Sequence, residues 1–472
     1  MIEMRPNILL ITIDCGRQDM IYGDEVETPN IDKIRKAGVT FLDAHSQSNT
    51  TIPSFYSMFT SQYLSSHGVI NQNPLKYKSL GEGSLPITLA KNGWKTRSFL
   101  GFDLLDQIMG RDIENCITGK EEKPYPKKKN WRKRFKNALK RKAKTFLPLI
   151  PLPPQVLLAR RRNLKSKIIA GILVDKVLTW LSDLQNEEFF AWIHFFDAHQ
   201  LYCAPQHWLN KYYRRTKPSC SKSVYQQVKE MGAWFPEVPL GPIFKSEKDI
   251  KLYPSLYKAA LSYIDYEIGR LLEWLEENRK IDKTIIIVTS DHGENLLENG
   301  VYCGHYKLFD ETIKVPLIFK DPLCPHGKEV SSMVQHIDIM PTLLERFSLS
   351  IPSHVQGKSL WPAIWAGEKV NPFVFSEHVH FYQKTVKTED WQYLWADPNK
   401  KHPLGLEFEG NLLLNRLKGD KKNYASLYPT ICKEMEGIIH KLSSAFQPTE
   451  EKDKELPQEL IEKLSALGYL EF

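Results

Sequence analysis

No stretch of this chain is apolar and long enough to span a bilayer. The longest apolar run, Phe146 to Ala159, carries Pro148, Pro151, Pro153 and Pro154 and falls short of the ~20 residues that a spanning helix needs. A secretory leader is also missing. The first residues lead straight into Ile8–Ile13, which ends on Asp14 without a basic start or a small-residue cleavage site. Cysteine is scarce. The seven (Cys15, Cys116, Cys203, Cys220, Cys303, Cys324, Cys432) are odd in number and irregularly spaced, with no CxxC pair. Free thiols in a reducing compartment fit this usage better than a disulfide framework or a cysteine-built zinc site. The expectation is a cytoplasmic protein. There is no internal repeat and no recognised nucleic-acid motif.

What is present is ordinary globular material. The 472 residues are 42% hydrophobic, 11% aromatic and 25% charged, which excludes a disordered, collagen-like or coiled-coil chain. This length corresponds to about three domain-equivalents and buries a core without staples.

The charge is unevenly placed. Lys127 to Lys167 holds sixteen Lys and Arg and no Asp or Glu, so a net charge of +8 less these sixteen leaves −8 on the remainder. The body is acidic and one segment is strongly basic. Trp131, Phe135, Leu139 and Phe146 fall close to one helical face within that segment. A solvated charged face is one reading. Peripheral contact of 127–162 with an anionic membrane, on the inner face of the cell, is another, and nucleic-acid binding is a third.

Apolar runs alternate with helical patterns. Ile8–Ile13, Val39–Ala44, Trp94–Leu100, Phe189–Phe196 and Thr284–Thr289 read as strands. Pro29–Gly38, Ser84–Gly93 and Tyr257–Asn278 read as helices. This rhythm predicts a mostly parallel sheet covered on both faces. After Ile351 the pattern changes: Thr385–Trp395 reads as paired strands and Tyr428–Leu442 as a terminal helix. The expected organisation is a catalytic domain over 1–365, with a basic insertion about 120–185, and a small C-terminal α+β subdomain over 366–472.

Three strands end on Asp14, Asp197 and Asp291, and ligands of open α/β sheets sit at the carboxyl ends of strands. Asp14 and the Asp291–His292 pair suit a divalent cation; helix capping is the plain alternative for either aspartate. Thr51, before Ile-Pro at a helix start, is either a cap or a hydroxyl activated by the helix dipole and a metal. His199 is placed to donate to an oxyanion or protonate a leaving group, or to cap a loop. His305 and Lys307 either pair with anionic oxygens or lie solvated in a loop.

Together these pieces resemble the sulfatase branch of the alkaline phosphatase superfamily. The likeness rests on PNILLITIDCGRQD, TPNIDKIRKAGVTFLDAHSQS, FFDAHQLY, the block from YKAALSYIDYEIGR to TIIIVTSDHGE, KLFDETIKVPLIF, HIDIMPTLLE, VKTEDWQYLW and the tail around LLNRLKGDKKNYASLYPTICKEME, in that order. It implies an alkaline-phosphatase/sulfatase-like fold and a hydrolase of sulfate or phosphate/phosphonate esters. One divalent ion (Ca, Mg, Mn or Zn) would be held by Asp14, Thr51, Asp291 and His292. Thr51, His199, His305 and Lys307 would be catalytic, and Arg17 and Asp197 would contact substrate. Membrane contact through the basic segment would bring a lipid- or glycan-linked anionic ester within reach.

The chain departs from the family's pattern at its nucleophile. The signature Cys or Ser, X, Pro, Ser, Arg appears here as Thr51–Ile52–Pro53–Ser54–Phe55. A secondary alcohol oxidises to a ketone, so formylglycine cannot form, and Thr51 must act as a plain alkoxide. A formylglycine hydrate expels sulfate by collapsing to the aldehyde, whereas a threonine ester must be hydrolysed directly. That favours phosphorus. The spacing TxPxxYSxxTxxY also resembles the threonine-using nucleotide pyrophosphatase/phosphodiesterase branch. The second aspartate of the opening motif is Cys15, the GKWH element of arylsulfatases is missing, and a second set of Asp/His/His metal ligands is not evident. A phosphoryl transferase or phosphodiesterase, or a catalytically inactive anion- or membrane-binding homologue, stands as the alternative.

Overall fold

The computed structural model describes residues 5–69, 79–102, 168–184, 187–199, 202–215, 247–296, 304–378, 383–399 and 411–444, with a few isolated positions besides. The basic segment 127–162, with its aromatic stripe, lies outside the described residues.

Among the described residues the main sheet has eight strands: β1 (Asn7–Ile13), β2 (Val39–His45), β3 (Lys95–Leu100), β4 (Phe189–Phe195), β5 (Thr284–Ser290), β6 (Lys314–Lys320), β7 (Lys328–Val330) and β8 (Val334–Gln335). Across the sheet they lie β3-β4-β1-β5-β6-β2-β7, with β8 also pairing β2. β6 runs antiparallel to β5 and β2, and the other pairings are parallel. The expected mostly parallel sheet is present.

Central strands are apolar on both faces because both faces are covered. Alternation along each strand divides the residues between two cores. Leu9, Ile11 and Ile13 of β1, Ala191 and Ile193 of β4, and Ile286 and Val288 of β5 share one core with helices α1 (Pro29–Lys36), α3 (Ala170–Asp183), α4 (Gln206–Arg215) and α5 (Glu247–Glu277). Ile8 and Leu10, Phe190 and Trp192, and Ile285 and Ile287 face the opposite core, closed by α2 (Thr51–Thr60) and α6 (Ile339–Arg346). α5 is longer than the sequence pattern predicted. It begins at Glu247 and carries Pro254 inside it, while Tyr253 and Leu256 extend its buried face.

A second, antiparallel sheet of β9 (Val374–Glu377), β10 (Gln383–Lys387), β11 (Trp391–Ala396) and β12 (Leu412–Asn415), in that order, follows. The terminal helix α7 (Pro429–Ser444) covers it, with Met435 and Ile439 packed on Phe375, Val386, Tyr393 and Leu413. β9 is stitched to the segment leading into α2: Ser376 Oγ donates to the Ser46 carbonyl at 2.6 Å, and the Glu377 N–H to that of Gln47 at 2.9 Å.

Sheet register positions the site. Ile13 pairs with Phe195 on one side and with Ser290 on the other, so β1, β4 and β5 end side by side. Asp14, the Phe196–His199 turn and Asp291–His292 emerge at one edge although they are far apart in sequence.

Candidate active site

Asp14, Asp291 and His292 are fully buried at this edge. One ligand atom from each lies within 4.8 Å of the others. The local folding explains the placement. Gly293 follows the pair because the backbone must pass the 311–312 segment closely: a Cβ there would meet the Glu311 carbonyl oxygen at 2.1 Å, and the Gly293 N–H donates to the Thr312 carbonyl at 2.8 Å. Asp291 Oδ1 accepts the N–H groups of His292 at 2.9 Å and Cys15 at 3.2 Å, tying the end of β5 to the end of β1.

Thr51 opens α2, with Thr50 as its N-cap. Pro53 is tolerated in the first turn, where an N–H has no intrahelical acceptor. Ser54 anchors the helix by donating to the Asp291 carbonyl at 2.7 Å. These contacts bring the Thr51 hydroxyl to 3.2 Å from His292 Nε2 and 3.5 Å from Asp14 Oδ2. Nδ1 of His292 donates to the Gly293 carbonyl at 2.9 Å. That contact assigns the ring proton to Nδ1 and leaves a lone pair on Nε2.

The electrostatics are those of buried carboxylates. Burial works to raise the Asp14 carboxyl, but His199, His194 and His292 outweigh it and hold it well below the ordinary range. Burial and the neighbouring Asp14 push Asp291 up to about 8. Burial likewise lifts Glu294 to about 8 and pushes His292 and His305 below the ordinary imidazole range.

The donor set fits a divalent cation. The Nε2 lone pair of His292 faces Asp291 Oδ2 at 3.3 Å, and two acceptors at that separation call for a proton or a cation between them. Among the described residues, Asp14 Oδ1, Asp291 Oδ2, both Glu294 oxygens and His305 Nδ1 are buried without a hydrogen-bond partner.

The other expected residues divide into two groups. His305 joins the cluster, its ring centroid 4.6 Å from that of His292 and 6.0 Å from that of His199. His199 stacks on Phe196 at 4.5 Å, and Phe196 on Phe102 at 4.6 Å. Lys307 is in the left-handed region at φ +65°, and its carbonyl accepts from Thr312 Oγ1 at 2.6 Å. Arg17 and Asp197 are engaged elsewhere. The Arg17 guanidinium grips Asp19 at both oxygens and Glu298 at 2.8 Å. Asp197 accepts the Ala170 N–H at the start of α3.

One residue escaped the sequence reading. His194 lies inside β4 and is completely buried. Its Nε2 meets Asp14 Oδ2 at 3.2 Å and its Nδ1 meets Thr12 Oγ1 at 3.0 Å. A histidine within an otherwise apolar strand was the only signal available.

The family described as Sulfatase matches residues 6–349. This chain belongs to the sulfatase family. It is similar to "Sulfatase" of Formosa agariphila, 26% identical over 75% of this chain and 72% of that one. It is also similar to Arylsulfatase K of Bos taurus, 24% identical over 82% of this chain and 73% of that one. Among solved structures it resembles the phosphonate monoester hydrolase of Agrobacterium radiobacter, at TM-score 0.70 and 20% identity over 96% of this chain and 100% of that one. The fold is therefore of the alkaline-phosphatase/sulfatase type. At the signature's Arg position, this sulfatase-family chain packs Phe55 against Trp192 at 4.7 Å and His194 at 4.9 Å.

Proposed function

We propose that this sulfatase-family chain hydrolyses a sulfate or phosphate/phosphonate ester, with Thr51 as a plain alkoxide nucleophile. The observation that carries this reading is the Thr51 hydroxyl at the positive end of α2, 3.2 Å from His292 Nε2 and 3.5 Å from Asp14 Oδ2. Two acceptors are within reach of its proton, and the helix dipole favours the alkoxide.

Sulfatase-family members use a divalent metal. Asp14, Asp291 and His292 would hold it beside Thr51. Bound there, it would stabilise negative charge on the ester oxygens. His199 would donate a proton to the departing oxygen, its ring held by the Phe196 stack. His305 and Lys307 would contact the anion. Arg17 and Asp197 serve as braces: one ties the turn after β1 to Asp19 and Glu298, and the other holds the start of α3.

The chemistry of release favours phosphorus. A threonine sulfate ester has no aldehyde to collapse to, whereas a threonine phosphoester is cleaved by in-line attack of water. The likeness to a solved phosphonate monoester hydrolase agrees with that preference. The organic half of the ester would be a lipid or glycan, and the basic segment 127–162 would bring the enzyme to an anionic membrane.

The test is a panel of p-nitrophenyl sulfate, p-nitrophenyl phosphate, bis-p-nitrophenyl phosphate and a phenylphosphonate monoester, with Ca²⁺, Mg²⁺, Mn²⁺ or Zn²⁺ added in turn. Cleavage of a phosphorus substrate that is lost in Thr51→Ala, with metal content unchanged, is expected. Full activity in Thr51→Ala overturns the mechanism. Phe55 at the Arg position favours a second reading, a binding protein without turnover. Inactivity towards every ester, together with an unoccupied metal site, would support it.

A further inference from the structure

Cys15 is the unexplained residue of the pocket. It stands where the family's pattern often has a second aspartate, and it is completely buried. Its backbone has φ +57°, in the left-handed region that is unfavourable for a non-glycine residue. Such a conformation persists where surrounding contacts determine it. Here the Cys15 N–H donates to Asp291 Oδ1 at 3.2 Å, and its carbonyl accepts from the Tyr257 hydroxyl at 2.7 Å. With both backbone groups pinned, the Cα–Cβ bond that carries the thiol is fixed in direction.

That direction is into the ligand cluster. Cys15 Sγ lies within 4.8 Å of ring nitrogens of His292 and His305, which lie as close to each other. It forms a second such group with Asp14 and His199. A tetrahedral ion with S and N/O ligands separates its donor atoms by roughly 3.3–3.8 Å, so a small contraction closes either group. Independent observations mark the place as a ligand site. Asp14 Oδ1 is fully buried without a hydrogen-bond partner among the described residues, and the buried Glu294 carboxyl borders Cys15 and Asp14. His292 has one free nitrogen, because Nδ1 is spent on the Gly293 carbonyl. The overlapping donor groups that contain His292 therefore describe one ion, not two.

We propose that Cys15 is a thiolate ligand of that ion, beside Asp14, Asp291 and His292, so that the site selects zinc or a similarly soft cation over calcium or magnesium. The inference rests on reading the pocket as a divalent-ion site. As the sulfur–metal bond forms, the S–H proton is released to solvent, with no change of oxidation state. Thiolate and imidazole select zinc-like ions, and a carboxylate at position 15 would select harder ones.

The experiment loads the chelator-stripped full chain with Co²⁺ and records its absorption spectrum. One cobalt per chain with an intense near-ultraviolet sulfur-to-cobalt charge-transfer band is expected. Cys15→Ser should remove that band and keep the visible d–d bands. Bound cobalt without the band, or a band that survives in Cys15→Ser, overturns the proposal and leaves the divalent-ion reading standing. Failure to bind Co²⁺, Zn²⁺, Mn²⁺ or Ca²⁺ overturns both. Cys15→Asp provides a second arm. Its preference for zinc over calcium in competitive dialysis should fall on the order of tenfold or more, and an unchanged preference counts against the thiolate.

Discussion

Phe55 stands edge-on to His194, with ring centroids 4.9 Å apart and planes at 84°. His194 in turn meets Asp14 Oδ2 at 3.2 Å. A coherent set of proton positions follows. Trp192 Nε1 donates to Thr12 Oγ1 at 3.0 Å, Thr12 donates to His194 Nδ1, and His194 Nε2–H donates to Asp14. The apolar ring at position 55 thus seals the back of a histidine that orients the Asp14 carboxylate.

Replacing His194 with Ala removes the donor that fixes Asp14. Affinity for the bound divalent ion should fall about 10–100-fold, the usual effect of losing such a partner. His194→Gln, which keeps an N–H donor, should recover part of the loss. Isothermal titration of each variant with Zn²⁺ and Mn²⁺ checks this, and equal affinities across the series would show that Asp14 needs no such support.

Gly293→Ala should destabilise the fold by about 3 kcal/mol. The added Cβ meets a backbone carbonyl at 2.1 Å, which cannot swing aside as a side chain can. Chemical denaturation of the purified variant measures the loss. Stability within experimental error of the parent would mean that the 293 and 311 segments separate easily.

Acid should weaken the fold from neutral pH downward, and His336 should account for part of the slope. Burial, with His45 and His292 nearby, lowers His336 to about 3. Unfolded, it takes a proton near the ordinary 6.5. Between those values the unfolded chain binds a proton that the folded chain refuses, so stability falls as pH drops below 6.5. His45, lowered to about 4 by burial, acts in the same direction. His336→Asn should therefore flatten the fall in urea midpoint between pH 7 and 5 without abolishing it. An unchanged slope would assign the effect to other groups.

Much of the site could be read from the chain because its residues follow apolar β-runs directly. Asp14 ends β1 and Asp291 ends β5, and strand ends point to a site. Thr51 was visible through its Ile-Pro context. Other features depend on tertiary contacts. β6 looks like any buried strand, and only its partners reveal its reversed direction. His194 takes its meaning from Asp14, 180 residues away. Arg17 was a substrate contact by resemblance alone, and its engagement by Glu298, 281 residues distant, could not be read from the chain. Asp197 read as a site residue because its partner at Ala170 belongs to a helix that the expected pattern did not include. Cys15 was noticed as a departure, but nothing in its neighbours' identities indicated where its sulfur points.

The central place of β1 affects how the chain is made. All seven of its residues are buried, and its partners are β4 and β5, 182 and 277 residues further on. At ribosomal speeds of roughly 5–20 residues per second, about ten seconds or more pass before the first partner emerges. For that time a largely apolar strand has no sheet to join, so folding of the nascent chain must wait for its middle. Until then the apolar residues of β1 stay uncovered, and the unfinished chain is at its most open to association with its own copies.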